Sequence, residues 1–232
     1  ALCMWEGPYG IWNSRKHLMV SLDQSLKRMN LDYVDIFYSH RYDPETPLEE
    51  TLQTLVDMVR QGKALYVGIS KYPREAAATA YRYLADNHVP CLLYQGCYNM
   101  FNREAEEKGI LEQAYNEGSG FVAFSPLAQG LLTDRYLNGI PEDSRIARGG
   151  NLKKEVLTDE VFRKIKSLNE VALRRGQTLA EMALAWLLKD QMVTSVIIGA
   201  SSVKQIDDNL KALNNTSFCD EEITLIDSIL KS

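Results

Sequence analysis

Short apolar runs alternate along the chain with longer stretches in which apolar residues return every three or four positions. Five of the runs resemble parallel strands buried on both faces, over residues 34–38, 64–69, 91–94, 121–124 and 195–198. Between them the helical period is clear. Residues 47–61 place Leu48, Leu52, Leu55, Val56 and Val59 on one face, and residues 178–190 do the same with Leu179, Met182, Ala183, Trp186 and Leu187. These stripes are core faces. Further helices are predicted over residues 14–29, 73–87, 109–117, 158–175, 202–213 and 220–230, several of them opening on Ser, Thr, Asp or Pro. Residues 126–156 carry no such period, and a loop of that length in a compact domain usually serves function.

Alternating β and α units imply a parallel sheet, either open and doubly wound or closed as a (β/α)8 barrel. No G-x-G-x-x-G follows a strand and no G-x-x-x-x-G-K-[ST] occurs, which turns the reading toward the barrel. A barrel of this class needs eight strands and five are read. The expected fold is therefore a (β/α)8 TIM barrel whose first three βα units are absent from these residues, with 1–232 forming a single partial barrel domain. A chain made to begin at Ala1 is expected to leave two apolar strand edges unpaired and not to close.

Composition narrows the partners. The chain has 232 residues, 45% of them hydrophobic, and 26 basic against 31 acidic residues give a net charge of −5. No basic block could track a phosphate backbone, so nucleic acid is excluded as a partner. No apolar run approaches the ~18 residues of a membrane span, and residues 1–10 lack the basic start and apolar centre of a signal peptide. Cys3, Cys91, Cys97 and Cys219 form no C-x-x-C, and we read them as reduced thiols of a cytoplasmic protein with no metal site.

In a barrel the active site lies at the C-terminal ends of the strands. The polar residues there are Ser39 and His40, Ser70 and Lys71, Gln95, Tyr98 and Asn99, Ser125, and then Ser201 and Ser202. A histidine that ends a strand can simply bond a backbone carbonyl. At a barrel mouth it can instead donate one hydrogen bond to a substrate carbonyl, since imidazole is mostly neutral near pH 7. The stretch VIIGASSVKQIDDN gives a second signal, a strand ending in small residues and then a helix start whose free N–H groups can bind phosphate. Its plainer reading is an ordinary helix cap.

Six ordered motifs, YVDIFYSHR, YVGIS, YNMFNR, FSPLAQGLLT, NGIPEDSR and GASSVKQIDDN, together resemble the aldo-keto reductases. The likeness is to the potassium-channel β-subunit group and especially to the bacterial L-glyceraldehyde 3-phosphate reductases, and it runs from about Met4 to the C-terminus. The resemblance implies a (β/α)8 barrel that binds NADPH and reduces small aldehydes, phosphorylated triose-like ones among them, or else a nucleotide-sensing subunit. It implies a homo-oligomer. By position, His40 matches the catalytic histidine, Ser70 and Gln95 match the residues that bond the nicotinamide carboxamide, and Phe124 sits where an aromatic ring stacks on it. Ser125, Pro126 and Leu127 match the stretch along the pyrophosphate, and Arg135 and Arg145 the basic residues that close over the cofactor. Ser201, Gln205, Asp208 and Asn209 match the adenosine end, with Ser201 and Gln205 near the 2′-phosphate. The family's catalytic Asp, Tyr and Lys belong to strands before Ala1, which leaves His40 as the tetrad member in this sequence.

Overall fold

The computed structural model describes residues 12–137 and 157–231. Each apolar run is a strand: β1 Val34–Ser39, β2 Ala64–Ser70, β3 Cys91–Cys97, β4 Gly120–Phe124 and β5 Ser195–Ile197. They are hydrogen-bonded in chain order, and the β1/β2 and β2/β3 pairs are parallel. Three of the strands run past the predicted apolar run, which carries Ser39, Ser70 and Gln95 into the ladder.

The helices start where their caps are. Ser14 caps α1 (Arg15–Met29), Thr158 caps α6 (Asp159–Arg174) and Ser202 caps α8 (Val203–Leu210), each side-chain oxygen accepting from the backbone N–H three residues on. Pro47 and Pro73 precede α2 (Leu48–Arg60) and α3 (Arg74–Asp86), where a missing N–H costs nothing. Thr178 and Glu181 form a reciprocal capping box on α7 (Leu179–Leu187). The remaining helices are a short α4 (Glu104–Glu107), α5 (Ile110–Asn116) and α9 (Asp220–Lys231).

One compact unit comprises Ala1–Gly96 with Ala105–Val122. Its core joins Leu18, Leu22 and Leu26 of α1, Leu52, Leu55 and Val56 of α2, and Ala77, Ala80 and Leu84 of α3 to Phe37, Val67 and Ile69 of the strands. Gly68 is required by that packing, because a Cβ there would lie 2.7 Å from Tyr38 Cε1 and 2.9 Å from the Leu93 carbonyl oxygen. The other unit comprises Cys97–Glu104 with Ala123–Ser232. There Trp186 is buried against Tyr98, and Arg175, at the C-terminus of α6, bonds Glu222 of α9 and stacks over Phe218.

Two expectations need adjustment. The strands are not buried on both faces throughout, since Leu65, Tyr66 and Ile197 are about half exposed. The stretch read as irregular from residue 126 contains 3-10 turns at Ala128–Gly130 and Asp134–Tyr136, anchored by buried Leu131, Leu132 and Tyr136. Turns of three residues are too short to show a period.

Candidate active site

Parallel pairing sets the first group of residues side by side. Ser39 pairs with Ile69 and Ser70 with Gln95, so His40, Ser70 and Gln95 stand at the C-terminal ends of β1, β2 and β3. The Lys71 N–H donates to the Gln95 carbonyl at 3.3 Å, and Lys71 holds a left-handed φ of 55°. A lysine in that conformation is uncommon, and such strain gathers at functional sites.

Two side-chain atoms here are buried without a hydrogen-bond partner, His40 Nδ1 and Ser70 Oγ. Groups of this kind are rare in native interiors and ask for an explanation. Burial, then the positive charges of Lys71 and Arg41, push the His40 pKa below its ordinary value. The ring is neutral at pH 7. A neutral ring carries one proton, and an unpartnered N–H costs more than an unpartnered acceptor, which assigns the proton to Nε2. In that tautomer His40 can donate one hydrogen bond from Nε2.

A polar network that sequence reading missed lies beneath it. Ser39 Oγ is 2.8 Å from Tyr72 Oη, and Tyr94 Oη donates to the Tyr72 carbonyl at 2.7 Å. Burial pushes the Tyr72 hydroxyl up to about 12 against the opposing effect of the Ser39 bond, so it remains a neutral O–H. Tyr42 meets the Tyr72 ring edge-on at 5.6 Å. Asn13, fully buried, donates from Nδ2 to Ser39 Oγ at 3.3 Å and to the Arg41 carbonyl at 2.5 Å. Its own N–H donates to Asp43 Oδ2 at 2.7 Å. Burial alone would raise the Asp43 carboxyl, but donors from Thr46, Asn13 and Glu45 hold it below its ordinary range.

The second group lies in the other unit. Phe124 ends β4 half-buried, and Ser125 follows with φ 55°, its carbonyl accepting from Asn99 Nδ2 at 2.9 Å. Pro126 is buried. Leu127 packs with Val196 and Ile198 against Leu184, Ala185 and Ala212, which brings the 125–127 segment to the strand that leads into Ser201. The Ser201 N–H and hydroxyl both donate to Gln205 Oε1, at 2.7 and 3.1 Å, while Ser202 is the residue that caps α8. Asp208 is paired with Lys204 and Lys211 on the exposed surface, and Asn209 is half-buried. Arg135 is exposed on its 3-10 turn, and Arg145 falls outside the described residues.

Each group, taken within its own unit, offers a distinct kind of contact. Ser70 Oγ and the Gln95 amide offer both a donor and an acceptor to a carboxamide, and the small-residue approach to α8 suits a phosphate. Among the described residues no group of His, Cys, Asp and Glu could hold a metal ion, and no helix is long and apolar enough to cross a membrane.

Comparison with known proteins gives a consistent picture. The family model for the aldo/keto reductase family matches residues 3–231. The L-glyceraldehyde 3-phosphate reductase of Escherichia coli strain K12 is 53% identical over 228 residues, covering 97% of this chain and 66% of the relative. A probable voltage-gated potassium channel subunit beta of Arabidopsis thaliana is 40% identical over 213 residues, 90% of this chain and 65% of the relative. A thermostable aldo-keto reductase crystallised with the inhibitor epalrestat matches with a TM-score of 0.72 and 31% identity, over 93% of this chain and 67% of that one. The chain thus spans about two thirds of the length of these curated relatives. The α/β architecture agrees with part of a (β/α)8 barrel. On this match across nearly all of its length, the chain belongs to the aldo/keto reductase family.

Proposed function

We propose that the full-length protein carrying this chain reduces small aldehydes with NADPH, glyceraldehyde 3-phosphate among them. The observation that carries the reading is the pair of buried, unpartnered atoms at neighbouring strand ends, His40 Nδ1 and Ser70 Oγ, beside Gln95. When bound, NADPH supplies the hydride that reaches the carbonyl carbon. His40 donates from Nε2 to the carbonyl oxygen, orienting it and stabilising the negative charge that develops there. Ser70 and Gln95 would hold the carboxamide, and the family resemblance assigns Phe124 to stack on the nicotinamide ring. Lys71 and Arg41, the cations that act on His40, favour an anionic substrate such as a phosphorylated triose. Arg135, Arg145, Ser201 and Gln205 favour the 2′-phosphate of NADPH over NADH. The family resemblance assigns the proton that completes the alcohol to a Tyr that matches none of the residues 1–232. It also favours a homo-oligomer, and the cysteine usage a cytoplasmic one.

The test is single-turnover oxidation of bound NADPH on mixing the full-length protein with an aldehyde panel. Rapid oxidation by glyceraldehyde 3-phosphate is expected. The likeness to channel β-subunits supplies the rival, a cofactor sensor, which would keep NADPH bound and unoxidised by every aldehyde tried.

A further inference from the structure

We propose that Asn13 is a positioning residue for His40, a side-chain clamp that grips the backbone and side chain on both sides of the histidine. The observation is geometric. A single amide group, Asn13 Nδ2, donates to the hydroxyl of Ser39, the residue before His40, and to the carbonyl of Arg41, the residue after it. Both donors of one NH2 are thus spent across one residue. Asn13 is itself held from behind. Its N–H bonds Asp43 Oδ2, its carbonyl accepts from Thr51 Oγ1 at 3.0 Å, and Ser14 next to it caps α1. The clamp therefore stands on the N-terminus of α1 and the first turn of α2 rather than on a free loop.

The orientation of the amide is fixed by chemistry. The Arg41 carbonyl can only accept, so Nδ2 must face it, and Asn13 Oδ1 is left buried with no partner. A fold that tolerates an unsatisfied buried oxygen does so for what the other end of the group achieves. Ser39 is fixed from its far side as well, by Tyr72 Oη. His40 has no hydrogen bond at Nδ1 to hold its ring, so its placement depends on the backbone at residues 39–41. Asn13, Ser39 and Tyr72 supply that placement, and a carbonyl-orienting donor works only when held to a fraction of an ångström.

The inference rests on the role proposed for His40, and the experiment separates the two. In the full-length protein, Asn13→Leu keeps the volume and removes both donors. It should lower kcat/KM for glyceraldehyde 3-phosphate about tenfold through kcat, with NADPH affinity unchanged, since misplacing a catalytic group by about 1 Å costs up to about a hundredfold. In a His40→Ala background the same substitution should cost nothing more. The His40 ring signals in an NMR spectrum should be one sharp set in the wild type and broadened or doubled in Asn13→Leu. Ser39→Ala, which removes one arm of the clamp, should shift both readouts the same way by less, and it carries the test if Asn13→Leu folds poorly. An equal loss in the His40→Ala background, or unchanged His40 ring signals, would overturn the clamp. If the wild type reduces no aldehyde, the functional reading falls, and the ring signals still decide the clamp.

Discussion

At the residue scale, the proposed chemistry turns on keeping one imidazole neutral. Burial and then Lys71 and Arg41 favour the uncharged ring in the folded state, so the unfolded chain binds more protons in the window below the ordinary histidine pKa. The His40 contribution to stability is therefore complete above about pH 6.5 and is lost as pH falls from there toward its folded pKa. Activity should follow the same group. The kcat/KM profile should show an acid limb below about pH 6.5, and Lys71→Gln, by removing one of the opposing charges, should move that limb to higher pH. A limb that stays in place or moves lower would mean that His40 does not set it. On the cofactor side, Arg135→Ala should weaken NADPH by about 1.5–3 kcal/mol, the range for bonds to charged groups, and NADH much less. Equal losses in a titration with the two cofactors would remove Arg135 from the 2′-phosphate. The strand-end positions of His40, Ser70 and Gln95 were legible in the sequence because a polar residue closing an apolar strand stands out, while the roles proposed for them come from the family resemblance. Asn13 and Tyr72 were not, because their roles come from hydrogen bonds to Ser39 across 26 and 33 residues.

At the scale of elements, local rules specified most boundaries. Among the described residues, apolar runs located the five strands, and Ser14, Pro47, Pro73, Thr158, Thr178 and Ser202 each stand at a helix start that the pattern indicates. What pattern could not show is how elements are tied together. Arg175, with 3% of its side chain exposed, bonds Glu222 Oε2 at 2.5 Å, the Ser217 carbonyl at 2.8 Å and Gln177 Oε1 at 2.9 Å. Glu222 keeps 29% of its side chain in solvent, so Arg175→Met removes charge-assisted bonds without stranding a buried charge and should lower the unfolding free energy by about 1.5–3 kcal/mol in urea denaturation. A loss under about 1 kcal/mol would place this pair with ordinary surface ion pairs. Gly68→Ala should cost about 1–3 kcal/mol by overpacking against Tyr38 and the Leu93 carbonyl, and the same denaturation series measures it. That requirement, too, is invisible in sequence, since it depends on which side chain crosses the strand.

At the scale of the whole molecule, the ordered motifs carried the family. The parallel sheet in chain order and the match over residues 3–231 agree with that reading. Substrate and cofactor are the finer step, and they depend on His40 facing a carbonyl while Ser70 and Gln95 face a carboxamide. The most direct measurement is kcat/KM for glyceraldehyde 3-phosphate, together with the Kd for NADPH, in full-length wild-type protein and in His40→Ala. We predict a fall in kcat/KM of about a hundredfold or more, the usual loss when a positioned donor is removed, with Kd nearly unchanged. A folded His40→Ala protein that reduces the aldehyde at the wild-type rate, or one whose loss comes entirely from weakened NADPH binding, would contradict the account.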